Sequence, residues 1–320
     1  MSIVERAIKK LQAAGPPARP LEQVPDPSIA IGRVVEGHVP APADATQPRL
    51  QALVDNRGKT VEIDFEALRR NRLLPPESQQ REFDHQYRIL KRPLIKYAFA
   101  PDSGAGDGSG LSRTIMVTSA LPGEGKTFTS INLALSLSLE KDHGVLLVDG
   151  DVANPRVSRL FGVADEPGLL DVLAERERSI ESVVLPTDVP GLSLLPAGRD
   201  SETATELLAS QRMHRKVLQR LSEIDPNGLI VVDSPPILIT SESRVLASLF
   251  GQIVLVVRAN STPQQAVQQA ISLIGEGPRL GLVLNQAIHE PAGDGYYGYG
   301  YGYGSVARSK DDAEPGMPPA

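Results

Sequence analysis

Ser119-Ala-Leu-Pro-Gly-Glu-Gly-Lys-Thr127 carries the densest chemistry in this chain. An apolar run, Thr114–Thr118, precedes it and reads as a buried strand; Phe128–Glu140 follows and reads as a helix. Strand, Gly-rich turn and helix is the setting of a phosphate loop. The open helix N-terminus offers unpartnered N–H groups and the positive end of the helix dipole. Gly123 and Gly125 let the backbone approach an anion closely. Lys126 is placed to reach the β- and γ-phosphates, and the Thr127 hydroxyl to ligate Mg²⁺. Pro122, Gly123, Glu124, Gly125, Lys126, Thr127 and Phe128 are therefore expected to form the nucleotide cradle. The first position of the G-x-x-x-x-G-K-T pattern is Ala120 rather than Gly.

Two further apolar runs end in acids. Val145-Leu-Leu-Val-Asp-Gly-Asp151 supplies Asp149 and Asp151, and Leu229-Ile-Val-Val-Asp233 supplies Asp233. Carboxylates at strand ends beside a phosphate loop can hold Mg²⁺ directly or through water, and Mg²⁺ uses few protein carboxylates. Thr127, Asp149 and Asp233 are the expected metal set. Lys126, Asp149, Asp151 and Asp233 are the expected catalytic set. Arg258 and Asn285 also end apolar runs; Asn285 has an amide suited to an adenine edge, and strand-end capping explains it equally well. The five histidines are scattered without metal-ligand spacing.

The elements that must position these groups are βαβ units. Apolar runs at Ile115–Val117, Val145–Val148, Leu192–Leu195, Leu229–Val232, Ile253–Val257 and Leu280–Leu284 read as strands. Between them lie helical patterns at Thr127–Leu139, Leu169–Ala174, Thr203–Leu208, Met213–Ile224, Ser243–Leu249 and Pro263–Ile274. The expected fold class is α/β, with a mainly parallel sheet covered on both faces and ligands beyond the strands' carboxyl ends.

Residues 1–14 read as a short amphipathic helix with capping-box spacing between Ser2 and Glu5. Residues 15–48 are rich in Pro and Ala and read as a flexible linker. Residues 49–100 read as a small N-terminal region: a strand at Lys59–Asp64, a helix from Phe65 to about Arg72 capped by Asp64, and a second helix over Glu77–Lys91 limited by Pro93. Residues 101–112 are a Gly/Ser-rich linker, 113–288 the phosphate-loop domain, and 289–320 a flexible tail.

The chain has 320 residues, a net charge of −6 and no cysteine. This balance gives no nucleic-acid footprint and excludes disulfides and cysteine-based zinc sites. No apolar run reaches bilayer-spanning length, so any membrane attachment is expected to come from a partner.

Gly295-Tyr-Tyr-Gly-Tyr-Gly-Tyr-Gly-Tyr-Gly304 holds five of the seven tyrosines: Tyr296, Tyr297, Tyr299, Tyr301 and Tyr303. Alternating Gly disfavours a helix and exposes each phenol. Such a tail suits a phosphoacceptor; on composition alone it also suits a sticky aromatic contact.

Together these residues resemble the bacterial tyrosine kinases of polysaccharide export (BY-kinases), most closely the exosortase A (XrtA)-associated tyrosine autokinases, from about residue 82 to the Tyr-Gly tail. Ser119–Thr127 is similar to their Walker A, Val145–Asp151 to Walker A′ and Ile230-Val-Val-Asp-Ser-Pro-Pro236 to Walker B. The signature lysine of the Min/Par-type partition ATPases, which share the fold, would fall at Leu121 and is absent. The resemblance implies a Min/Par-like P-loop fold, ATP and Mg²⁺ as cofactors, and autophosphorylation of the tail tyrosines in trans. In it, Asp149 ligates the metal or takes the attacking phenol's proton, and Asp151 and Asp233 support the metal and its waters. It also implies a homo-oligomer, a separate membrane chain-length or co-polymerase partner, and a cytoplasmic location at the inner face of the membrane. Where the family commonly has Arg after Walker A′, this chain has Ala153. Where many members carry E-x-x-R-x-x-R for ring assembly, it has His85, Arg88 and Lys91. A partition-type switch ATPase and a non-catalytic nucleotide-sensing adaptor are the alternative readings of the same residues.

Overall fold

A computed structural model describes residues 31–36, 58–100, 110–175, 177–199, 204–208, 210 and 213–287. The helix expected at residues 1–14, most of the expected linker at 101–112 and the tyrosine cluster lie outside the described residues.

In chain order the elements are β1 (Gly32–Glu36), β2 (Lys59–Ile63), α1 (Phe65–Arg70), α2 (Gln80–Ala98), β3 (Thr114–Ser119), α3 (Lys126–Ser138), β4 (Val145–Asp149) and α4 (Arg156–Leu160). There follow α5 (Leu169–Ala174), β5 (Leu185–Pro186), β6 (Leu192–Leu195), α6 (Ala204–Leu208), α7 (Arg220–Ile224), β7 (Leu229–Asp233), α8 (Ser241–Ala247), β8 (Gln252–Arg258), α9 (Gln264–Ile274) and β9 (Arg279–Asn285).

Seven strands form one sheet in the order β5-β6-β4-β7-β3-β8-β9, parallel except for the two-residue edge strand β5. Its strands are apolar on both faces because both are covered. Successive side chains go to opposite layers. Met116, Leu146, Val148, Ile230 and Val232 pack with α5 to α9. Ile115, Val117, Leu147, Val231 and Val254 pack with α1 to α4. The expected α/β class and its six main strands are therefore present. Met213–Ile224, expected as one helix, starts with a π-helical segment, Met213–Gln219, before α7.

The N-terminal region differs from expectation in three ways. Gly32–Glu36, inside the stretch read as linker, pairs antiparallel with β2. Its partner lies more than twenty residues away, so the local sequence carries no sign of the pairing. Residues 58–100 are also no separate unit. Val61, Leu68, Tyr87 and Leu94 share a core with Ile131 and Leu133 of α3. The Asn132 amide donates to the Leu73 carbonyl at 2.8 Å, and that of Gln252 to the Leu94 carbonyl at 3.1 Å.

The third difference is α2, which does not stop at Pro93. Proline removes one intrahelical hydrogen bond and crowds the preceding turn. Here the apolar stripe of Tyr87, Leu94 and Ala98 continues past it into the core, and that burial holds the helix to Ala98. Asp64 caps α1 as expected, accepting from the Ala67 N–H at 2.9 Å.

Candidate nucleotide and metal site

The β3–α3 turn sits between the ends of β7 and β8, the two strands that flank β3. Gly123 and Gly125 have φ of +79° and +96°, a left-handed region that only glycine enters without strain. Pro122 and Gly123 are exposed at the loop's crest. A side chain at Gly125 would meet the Asn285 amide nitrogen 1.9 Å from its Cβ. The first i→i−4 bond at the start of α3 runs from the Thr129 N–H to the Gly125 carbonyl at 2.9 Å. The N–H groups of Lys126, Thr127 and Phe128 precede it and lie at the positive end of the helix dipole.

The expected acids converge there. Lys126 Nζ lies 2.9 Å from Asp151 Oδ2, and both side chains are buried. The Thr127 hydroxyl donates to Asp233 Oδ2 at 2.7 Å, and the Ser130 hydroxyl to Oδ1 at 3.0 Å. Asp149 and Asp233 are register partners on β4 and β7, and neither is exposed to solvent. Asp149 Oδ2 accepts from the N–H and hydroxyl of Ser158, each at 2.7 Å. Its Oδ1 has no hydrogen-bond partner.

Burial, and after it the neighbouring Asp233, push the Asp149 carboxyl up to about 8, with Ser158 opposing the rise. Asp233 is also raised by burial, with Lys126 pulling it back. A buried, orphaned carboxylate oxygen beside a second carboxylate and a Thr hydroxyl suits a hard dication. Two carboxylates are a sparse set, and Mg²⁺ characteristically adds waters and substrate phosphates to one or two of them. Thr127, Asp149 and Asp233 would hold it.

The remaining expected cradle residues behave differently. Glu124 is buried: Oε2 accepts from the Leu121 N–H at 2.8 Å, and Oε1 from the Thr262 hydroxyl. Burial raises its carboxyl, and these donors lower it. The Phe128 ring packs edge-on against Phe83 of α2, so only its backbone faces the loop. Asn285 donates to the Glu124 carbonyl at 2.9 Å, and its Oδ1 accepts from the Gln286 N–H. One N–H of its amide is thus engaged by the loop. Arg258 is Asn285's register partner, and its N–H donates to the Thr262 hydroxyl at 3.0 Å.

Ser130, Ser158 and Thr262 also belong to the arrangement, and sequence reasoning passed over them. Ser130 lies one helical turn after Lys126, a spacing that puts both on one face. Ser158 and Thr262 carry no local signal.

Of the three places matching the family's assembly motif, His85 and Arg88 are exposed. Lys91 is buried, donating to the Ser136 carbonyl at 2.6 Å and pairing with Glu140 at 2.7 Å. Among the described residues no helix is long and apolar enough to cross a membrane.

Comparison with known proteins agrees with this geometry. Residues 112–277, just over half of the chain, match the family model described as the AAA domain. Tyrosine-protein kinase YwqD of Bacillus subtilis is 28% identical over 250 residues, covering 77% of this chain and 96% of YwqD. Tyrosine-protein kinase Wzc of Salmonella typhimurium is 30% identical over 189 residues, covering 58% of this chain and 26% of Wzc. Several relatives are much longer, and the chain spans only 20% to 33% of their length. The solved kinase domain of the Escherichia coli tyrosine kinase ETK is 30% identical, with a TM-score of 0.51, and the match covers 60% of this chain and 73% of that domain. The strand–turn–helix, the two acid-ending strands and these matches agree on one assignment: the chain belongs to the bacterial tyrosine-kinase family of P-loop proteins.

Proposed function

We propose that the chain is an ATP- and Mg²⁺-dependent tyrosine autokinase that phosphorylates Tyr296, Tyr297, Tyr299, Tyr301 and Tyr303 of another copy. The observation that carries this reading is the convergence at the start of α3: Lys126 on Asp151, Thr127 on Asp233, and Asp149 with one carboxylate oxygen unspent. The names of YwqD, Wzc and ETK support the tyrosine as acceptor.

The residues divide the work. The N–H groups of the loop and Lys126 hold the phosphates. Asp149 accepts the phenol proton as the tyrosine oxygen bonds to the γ-phosphorus and the bond to the ADP oxygen breaks. Asp151 releases Lys126 to the phosphates and, with Asp233, orders the metal's waters. Mg²⁺, when bound, neutralises the charge developing on the transferred group. A tyrosine cluster placed after β9 in the sequence supports transfer in trans. The setting is regulation of exopolysaccharide synthesis and export, at the inner face of the membrane, with a separate chain-length or co-polymerase partner.

A mixing experiment tests this. A Lys126→Ala chain with an intact tail is incubated with an active chain lacking residues 294–304, ATP and Mg²⁺. Phosphotyrosine on the Lys126→Ala chain is the expected result. Steady phosphate release with no phosphotyrosine on either chain refutes the reading.

A further inference from the structure

Glu124 poses a problem of charge. An acid in the middle of a phosphate loop would repel the anion that the loop binds. The structure removes the conflict by turning the side chain inward, so that the residue is only 3% exposed. All three of its oxygens accept hydrogen bonds, and each bond comes from a different segment. Leu121 at the loop's start donates its N–H, Thr262 in the β8–α9 turn its hydroxyl, and Asn285 at the end of β9 its amide. Thr262 is itself fixed by the Arg258 N–H. The turns that carry these contacts are held in unusual conformations. Asn260 and Gln286 have φ of +55°, two of the three non-glycine residues with positive φ among the described residues. Strain of this kind persists where the surroundings over-determine it, and it clusters at ligand clamps.

We infer that Glu124 is a positioning residue of the phosphate loop: anchored by the Thr262 hydroxyl, its carboxylate ties the loop to the β8–α9 turn and so sets the loop's grip on phosphate. The inference rests on the loop being a nucleotide site and not on the acceptor being tyrosine. Thr262 is the informative position, because it is half-exposed and, among the described residues, its hydroxyl bonds Glu124 and the Arg258 backbone.

The test is calorimetric binding of ATP, and of inorganic tripolyphosphate, which has no base. Thr262→Val weakens both ligands by about tenfold, the scale of one hydrogen bond to a charged group. Thr262→Ser, which keeps the hydroxyl, binds both as the wild type does. Glu124→Ala weakens both by at least as much, and adding Thr262→Val to it causes no further loss, because the two act through one contact. Unchanged binding by Thr262→Val overturns the inference. So does a loss confined to ATP, which would place Thr262 on the base. A wild-type chain that binds neither ligand refutes the nucleotide-site reading itself.

Discussion

Asp149 and Asp233 stand side by side at the ends of adjacent parallel strands, yet their hydrogen bonding is unequal. Asp233 has both oxygens occupied by hydroxyls of α3, whereas Asp149 has one oxygen held by Ser158 and one without a partner. The pair is therefore asymmetric before any ligand arrives, and Asp149 is the member with capacity to spare.

The burial of Asp149 has a pH signature. The Asp149 carboxyl is pushed to about 8, above its ordinary value of 3.8. Its contribution to stability is then fully present below pH 3.8 and is lost as pH rises towards 8. Without nucleotide or Mg²⁺, the wild-type Tm should fall more steeply between pH 5 and pH 8 than that of Asp149→Asn. At pH 8 the variant should melt at least ~3 °C higher. Thermal melts of both proteins check this, and parallel slopes would count against a buried, unpaired acid.

If Lys126 binds phosphate, Asp151 should compete for it. Replacing it with Asn removes a negative charge 2.9 Å from Nζ. ATP binding measured without Mg²⁺ should tighten by about tenfold, a Coulombic change of roughly 1.4 kcal/mol. Turnover with Mg²⁺ should fall. Weaker binding would mean that Asp151 orients Lys126 towards the phosphates rather than holding it from them.

The two loop glycines should differ in tolerance. Both have positive φ, so alanine at either is strained by about 1–2 kcal/mol. Nothing lies within 4 Å of a Cβ at Gly123, whereas one at Gly125 would sit 1.9 Å from Asn285. Gly123→Ala should therefore retain measurable ATP affinity, and Gly125→Ala should lose it by more than tenfold. Equal losses would show that backbone strain alone decides.

Lys91 should behave as a core residue. Its ammonium is enclosed by the Ser136 carbonyl and Glu140. Lys91→Ala should lower stability by roughly 2 kcal/mol, the scale of hydrogen bonds to a charged group. Denaturant melts give the value, and sedimentation reports assembly. A changed oligomer with unchanged stability would restore Lys91 to an assembly surface.

The phosphate loop and the acids around it were legible in the sequence because their signals are local. Glycine spacing, apolar strands that end in Asp, and a helix that follows all lie within short windows. Short continuous apolar runs likewise marked the strands of a sheet covered on both faces. The positions that escaped notice depend on distant partners. Ser158 acts only because α4 returns to the end of β4, and Thr262 only because the β8–α9 turn meets Glu124 from 138 residues away. Gly32–Glu36 needed β2 to become a strand, and Pro93 stayed helical because the core beneath α2 outweighed one lost hydrogen bond. Glu124 was expected in the cradle and Asn285 at an adenine edge or a strand end; the fold turns the Glu124 side chain inward and bonds the Asn285 amide to the Glu124 carbonyl.

The central claim is phosphoryl transfer to the chain's own tyrosines. Its most direct measurement is incubation of the purified protein with ATP and Mg²⁺, followed by quantitation of phosphotyrosine. The wild type should accumulate it, and Lys126→Ala or removal of residues 294–304 should each eliminate most of the signal. An undiminished signal after the tail is removed, or ATP turnover without any phosphotyrosine, would contradict the account.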